Sequence, residues 1–367
     1  MEQPDGIRKY RDFYEMKPGA GFVQKEFGYY CLENWYAQGL PRDANLKEFF
    51  GYDEPGRADL YGLGGCEAAF VPEFETKVLR TDGPHEYVQD FAGRTLKCFT
   101  GRRRGFMPEY VDHPVKDERT FHELCAWRMQ PDTPERLADM DAYLPDFVKK
   151  QQQGIFIGQL VVGGYMYLRA LIGPADLPLM FYDDPDLIHL CMQAWFNLAD
   201  HVTAYHQRQV KVDELFISED ICYNHGSLIS PNMIREFLFP YYQQLIANMR
   251  RRQPGHTLHI QVDTDGRAMD VIDLYREIGM RFLSPCEVAS GCDVVALGQQ
   301  YPDMRFSGGV DKRVLAQGKD AIDRMVDRIF PAMQRRGGYL PTCDHGVPEE
   351  VSLENYLHYR KRCREFA

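Results

Sequence analysis

His256-Thr-Leu-His-Ile-Gln-Val-Asp-Thr-Asp-Gly266 is followed directly by the charged and apolar run 267–277 and then by Met280-Arg-Phe-Leu-Ser-Pro-Cys-Glu287. Alternation over 258–262 predicts a buried strand, Asp263-Thr-Asp-Gly266 a loop, and the spacing of Met269, Ile272, Asp273, Tyr275 and Arg276 an amphipathic helix. A second short apolar strand ends on polar residues. A helical crossover joins the two strands, so they must lie parallel. In parallel α/β sheets and barrels, sites are built at the carboxyl ends of strands. His259, Asp263, Asp265, Cys286 and Glu287 are the chemistry-capable residues read at those ends.

The same alternation of strand and helix extends outward from this unit. Strands are predicted at about 155–162, 214–218, 281–284, 305–309 and 339–342, with helices near 187–208, 231–252, 293–300 and 321–335. Thr133 is placed to cap a helix opening at Pro134. Six β-α units without a hydrophobic break predict one closed (β/α)8 TIM barrel, whose two remaining strands fall before residue 150. Residues 1–60 form a charged, Pro- and Gly-containing extension with a helical segment near 28–38, and about 70–117 reads as a small antiparallel β insertion. The whole chain, 1–367, is thus expected to be one α/β domain.

Bulk properties narrow the class. A formal net charge of −11 argues against a nucleic-acid surface, since no overall positive field gathers around phosphates. The basic runs Arg102-Arg-Arg104 and Arg250-Arg-Arg252 read as a solvated loop and a basic last helical turn. Ten scattered cysteines without a CxxC pair, and the polar start Met1-Glu-Gln-Pro-Asp5, predict a reduced cytoplasmic protein. The most apolar window, 155–172, is interrupted by Gln159, Tyr165, Tyr167 and Arg169 and reads as core, not membrane. Neither a Gly-x-Gly-x-x-Gly, a Walker loop nor a Gly-x-Ser-x-Gly elbow occurs.

Four motifs in order, Ser218-Glu-Asp-Ile-Cys-Tyr-Asn-His-Gly-Ser-Leu-Ile-Ser-Pro231, the 263–287 unit, Ser307-Gly-Gly-Val-Asp-Lys-Arg313 and Gly337-Gly-Tyr-Leu-Pro-Thr-Cys-Asp-His-Gly-Val-Pro348, resemble the uroporphyrinogen decarboxylase-like superfamily. The likeness covers roughly 130–365. It implies a (β/α)8 barrel and one of two activities: cofactor-free decarboxylation of uroporphyrinogen, or zinc-assisted methyl transfer to or from a corrinoid. The arginine-bearing stretch Pro-x-Trp-x-Met-Arg-Gln-Ala-Gly-Arg of the decarboxylase branch is absent; Trp35 and Arg11 stand in other contexts. Of the His-x-Cys typical of the methyltransferase branch, His259 is present and Gln261 replaces the Cys, while Cys343 matches a second Cys in context.

The reading is therefore nearer the methyltransferase branch. It implies a methyl group moved between a small methylated donor or a thiol and a corrinoid borne by a partner protein, since no Asp-x-His-x-x-Gly motif occurs here. His259, Glu219 and Cys343 are the expected zinc ligands; a mixed N, O and S set suits that ion. Asp263, Asp265, Glu287 and His345 are the expected catalytic groups, and Lys312 and Arg313 would meet an anionic group on the substrate. A homodimer is implied by the superfamily alone. Alternatives stay open at each position: His259 as a hydrogen-bonded core residue, Cys343 as a small buried hydrophobe, Asp265 and Asp311 as helix caps. Two other activities stay open too, metal-free decarboxylation with Asp263 stabilising a protonated intermediate, and ligand binding without turnover.

Overall fold

The computed structural model describes residues 5–101 and 108–367; the Arg102–Arg104 run lies outside the described residues. The strands are β1 (Arg57–Leu60), β2 (Lys77–Asp82), β3 (His85–Gln89), β4 (Thr95–Phe99), β5 (Glu109–Asp112), β6 (Phe156–Val162), β7 (Glu214–Ser218), β8 (Cys222–Tyr223), β9 (Gly226–Ser227), β10 (His259–Asp263), β11 (Phe282–Cys286), β12 (Arg305–Gly308) and β13 (Tyr339–Leu340). Seven of them form one sheet in the order β1-β6-β7-β10-β11-β12-β13, every neighbouring pair parallel. Strand order follows chain order, as in the wall of a singly wound α/β barrel, where each crossover returns to the adjacent strand. β2-β3-β4-β5 is a separate antiparallel sheet inside the expected insertion, and β8-β9 is a two-stranded hairpin.

The expectation of an eight-stranded closed barrel needs correction. Among the described residues the parallel sheet has seven strands and stays open between β1 and β13. An extended segment, residues 22–30, spans that opening without joining the ladder. Phe22 N donates to Phe366 O at 2.8 Å, Tyr30 N to Val347 O at 2.9 Å and Val347 N to Gly28 O at 2.9 Å. With Gln24 N donating to Asp53 Oδ2 at 2.7 Å and Gln24 O accepting from Asp53 N at 2.9 Å, these bonds tie the segment to the chain after β13, the carboxyl-terminal residues and the turn before β1. Of the two strands left unplaced before residue 150, one is β1, only four residues long.

Register sets which side chains face inward. His259 lies opposite Glu214, Gln261 opposite Phe216 and Phe282, and Asp263 opposite Ser218 and Ser284. With a side-chain period of two, these residues share one face and Ile260 and Val262 the other, where both are fully buried under the helices. The helix at the amino terminus, α1 (Asp5–Tyr14), plugs the amino end of the curved sheet. Tyr14 stacks on Phe156 at 3.9 Å and Phe13 meets Phe282 edge-on at 5.1 Å. Pro134–Gln152 opens as read, with Thr133 Oγ1 accepting from Arg136 N.

Below the sheet's midline Arg57 donates to Glu214 Oε1 at 2.5 Å, Asp59 Oδ1 at 2.6 Å and the Tyr14 hydroxyl at 2.8 Å, and Tyr14 in turn donates to Glu214 Oε2 at 2.6 Å. Gly158 sits between: a Cβ there would fall 2.1 Å from Asp59 Oδ1 and 2.7 Å from Arg57 Nη2. Only glycine leaves room for this network.

Candidate functional site

Asp263 ends β10 and points into the lumen enclosed by the curved sheet. A cavity of about 310 Å³ there is lined by Lys25, Arg57, Asp59, Gln261, Asp263 and Ser284, with Phe27, Phe216, Phe282 and Leu340 among its apolar walls. Ser284 Oγ donates to Asp263 Oδ2 at 2.5 Å, and Gln261 Nε2 donates to Ser284 Oγ at 2.7 Å. Burial pushes the Asp263 carboxyl up to about 7, against the pull of the Ser284 bond and with help from Asp265 and Asp220. A carboxyl that shares its proton near neutrality is suited to acid or base work. Lys25, from the extended segment, also lines this cavity, and among the described residues its ammonium has no ion-pair or hydrogen-bond partner.

Around the mouth stand Asp265, Glu287, Lys312 and His345, with Asp344 fully buried beside Lys312. His345 Nε2 lies 3.7 Å from Asp265 Oδ2, and Lys312 Nζ lies 3.3 Å from Glu287 Oε1 and 3.9 Å from Asp344 Oδ1. Burial and the nearby Asp220 hold Asp265 above the ordinary carboxylate range. Burial would also raise Glu287, but the Gly266 N–H and Lys312 outweigh it and hold Glu287 below that range. Asp220, with φ of +41°, accepts from Arg169 at 2.7 Å. Tyr30 stacks on His345.

The residues read as zinc ligands do not converge. His259 begins β10, so it lies at the amino end of the strand, four residues before Asp263, with its ring 4.8 Å from that of Tyr14. Burial, with Arg305 nearby, lowers its imidazole to about 4. It lines, with Asp213 and His256, a separate cavity of about 640 Å³ that opens at the amino end. Glu219 follows Ser218 and turns to the other side of the sheet, where it accepts from Tyr165 N at 2.9 Å and from the Tyr242 hydroxyl. Cys343 follows the lumen-facing Thr342 and is fully buried, its backbone N–H donating to Glu26 Oε1 at 2.8 Å. Burial raises its thiol far above the ordinary range. Among the described residues no three His, Cys, Asp or Glu side chains are placed to hold a metal ion.

Two further expectations are corrected. Arg313 folds back onto Asp311, at 3.0 and 2.9 Å, and is exposed, so it does not reach the lumen; Asp311 caps the helix Lys312–Leu315. Lys312 is at the mouth, but its charge is taken by Glu287 and Asp344. Asp265 does not cap the helical turn that follows. Lys25, Gln261 and Ser284 are the lumen residues that sequence reasoning did not select. Ser284 shares strand parity with Phe282, a signal that was available; Lys25 sits in a segment without periodicity and carried none.

Glu219 gives a test of this placement. Burial pushes it up to about 7 from 4.5, so between those values the folded protein binds more protons than the unfolded chain and stability falls as pH rises. Glu219→Gln is expected to remove that slope, on the order of 2–3 kcal/mol between pH 4.5 and 7 relative to the parent. Denaturant midpoints measured across this range check it; an unchanged slope would place Glu219 in solvent.

Comparison with known proteins gives the class. The family described as uroporphyrinogen decarboxylase (URO-D) matches residues 151–366, more than half of the chain, and the chain belongs to that family. Among its relatives, the uroporphyrinogen decarboxylase of Aromatoleum aromaticum is 24% identical over 199 residues, covering 50% of this chain and 51% of that protein. That of Coxiella burnetii is 23% identical over 188 residues, covering 48% and 46%. The chain thus spans about half the length of the curated relatives it matches. The fold likeness is wider: a solved methyltransferase from Methanosarcina mazei superposes with a TM-score of 0.60 at 13% identity, over 100% of this chain and 99% of that one. No helix among the described residues is long and apolar enough to cross a membrane.

Proposed function

We propose that the protein is a carboxy-lyase in which Asp263 transfers a proton to a carboxylated substrate held in the lumen by Lys25. One observation carries this: a lysine without an ion-pair partner among the described residues and a carboxyl raised to about 7 line the same largely apolar cavity. An unpaired ammonium beside aromatic walls is an open seat for one anionic group, since desolvation strengthens the pairing. The acid form of Asp263 then supplies the proton consumed when a carboxylate is replaced by hydrogen. Family membership and the decarboxylases among the relatives support the same reading.

Zinc-assisted methyl transfer with a corrinoid protein is the rival. The expected ligand set, His259, Glu219 and Cys343, occupies the amino end, the helix side of the sheet and the buried face after β13, and does not fit one ion. Carbon dioxide release from a panel of carboxylated aromatic substrates, including uroporphyrinogen, tests the proposal; methylcobalamin demethylation by added thiols, without carbon dioxide release, would overturn it. Lys25→Met is expected to raise KM about 10- to 100-fold with a smaller change in kcat, because its charge acts on binding. Steady-state kinetics on the active substrate check this, and an unchanged KM contradicts the role of Lys25.

A further inference from the structure

The lumen narrows the substrate, on the assumption that Asp263 and Lys25 act as proposed above. Size is the first constraint. About 310 Å³ is at the low end of the roughly 300–1,000 Å³ of small-molecule sites, and Phe216 and Phe282 face it from neighbouring strands. The space and its aromatic walls suit one planar ring.

Charge is the second. Of the two cations that line the cavity among the described residues, Arg57 is already bound by Glu214 and Asp59, which leaves Lys25 open. At the mouth, Asp220, Asp265 and Glu287 face Arg169 and Lys312, which are already paired, Arg169 by Asp220 and Lys312 by Glu287 and the fully buried Asp344. A ligand with several carboxylates meets excess negative charge on entry and one partner inside. The third constraint is a hydrogen bond that the protein leaves unmade. Gln261 is 5% exposed, its Nε2 is used on Ser284, and its Oε1 has no partner. A buried acceptor left without a partner, on a side chain that lines the cavity, calls for a donor from what fills it.

We infer that the substrate is a single-ring, electron-rich aromatic or heteroaromatic monocarboxylate whose ring carries an O–H or N–H donor for Gln261 Oε1. Such a donor serves the chemistry as well as the fit. Electron release from the O–H or N–H group makes the ring carbon that bears the carboxylate basic, and hydrogen bonding to Gln261 increases that release. Asp263 gives its proton to this carbon and a C–H bond forms. The bond to the carboxylate breaks, its electron pair returns to the ring, and carbon dioxide leaves. Asp263, now a carboxylate, regains a proton from water at the mouth, so one proton is consumed per turnover.

Calorimetric titration of the full chain tests this with four probes: pyrrole-2-carboxylate, 2,4-dihydroxybenzoate, benzoate and benzenehexacarboxylate. The two donor-bearing acids are expected to bind about 10-fold or more tighter than benzoate, with no binding of the hexacarboxylate. Gln261→Leu brings the donor-bearing acids to the level of benzoate, and Lys25→Met weakens all three monocarboxylates about 10-fold or more. Benzoate binding as well as the donor-bearing acids to the parent protein, tighter binding of the hexacarboxylate, or no binding of any probe would overturn the inference. Binding of the donor-bearing acids without carbon dioxide release overturns the decarboxylase reading alone. Carbon dioxide release confined to a multi-ring polycarboxylate overturns the substrate class alone.

Discussion

Asp263→Asn is expected to lower kcat by about 10²- to 10⁴-fold, the usual contribution of a positioned proton donor, with KM little changed. The amide keeps the shape of the carboxyl and still meets Ser284, but it has no proton to transfer at neutral pH. Stability should hold or rise near pH 7. The folded carboxyl is raised to about 7 from 3.8, so its ionisation opposes folding as pH climbs through that window, and Asn removes that cost. The pH profile is informative in the same way. With Asp263 acting as the acid, kcat/KM of the parent falls as pH rises past about 7, and the variant's residual rate lacks this limb. A variant as active as the parent would remove Asp263 from the chemistry.

The second large effect is on stability. Arg57→Met is expected to destabilise the fold by about 3–5 kcal/mol, because it leaves Glu214 wholly buried with an uncompensated charge. Burial already pushes Glu214 above the ordinary range, with Arg57 the main opposing influence. The double variant Arg57→Met with Glu214→Leu should recover most of that loss, since paired removal of a buried ion pair is often neutral. Chemical denaturation of the parent, single and double variants checks both statements. Equal stability of the parent and the single variant would mean that the network under the lumen is solvated.

How far these features could be read from sequence depends on residue pattern. The unit 256–287 was legible because alternation, a Gly-ended loop and helical spacing follow one another without overlap, and β10 and β11 form as read. β1 was not legible: Arg57-Ala-Asp-Leu60 is short, half polar and set among Pro and Gly, so burial periodicity has too few residues to register. The site was legible where parity reaches it. Asp263 at the end of β10 was found, whereas His259 was misplaced by one strand length, since periodicity shows a face but not which end of a strand is the rim. Glu219 and Cys343 failed for a related reason. Each lies one residue past a lumen-facing position, Ser218 or Thr342, and a shift of one reverses the face. Lys25 belongs to a stretch ordered by tertiary contacts alone.

The most direct test of the account is turnover in deuterated water with a strong chelator present, followed by carbon dioxide release and by NMR of the product. The account predicts that release persists at the rate without chelator, that the vacated ring carbon carries one deuterium, and that both are lost in Asp263→Asn. Activity that vanishes with the chelator and returns with zinc, or that survives in Asp263→Asn, would contradict it.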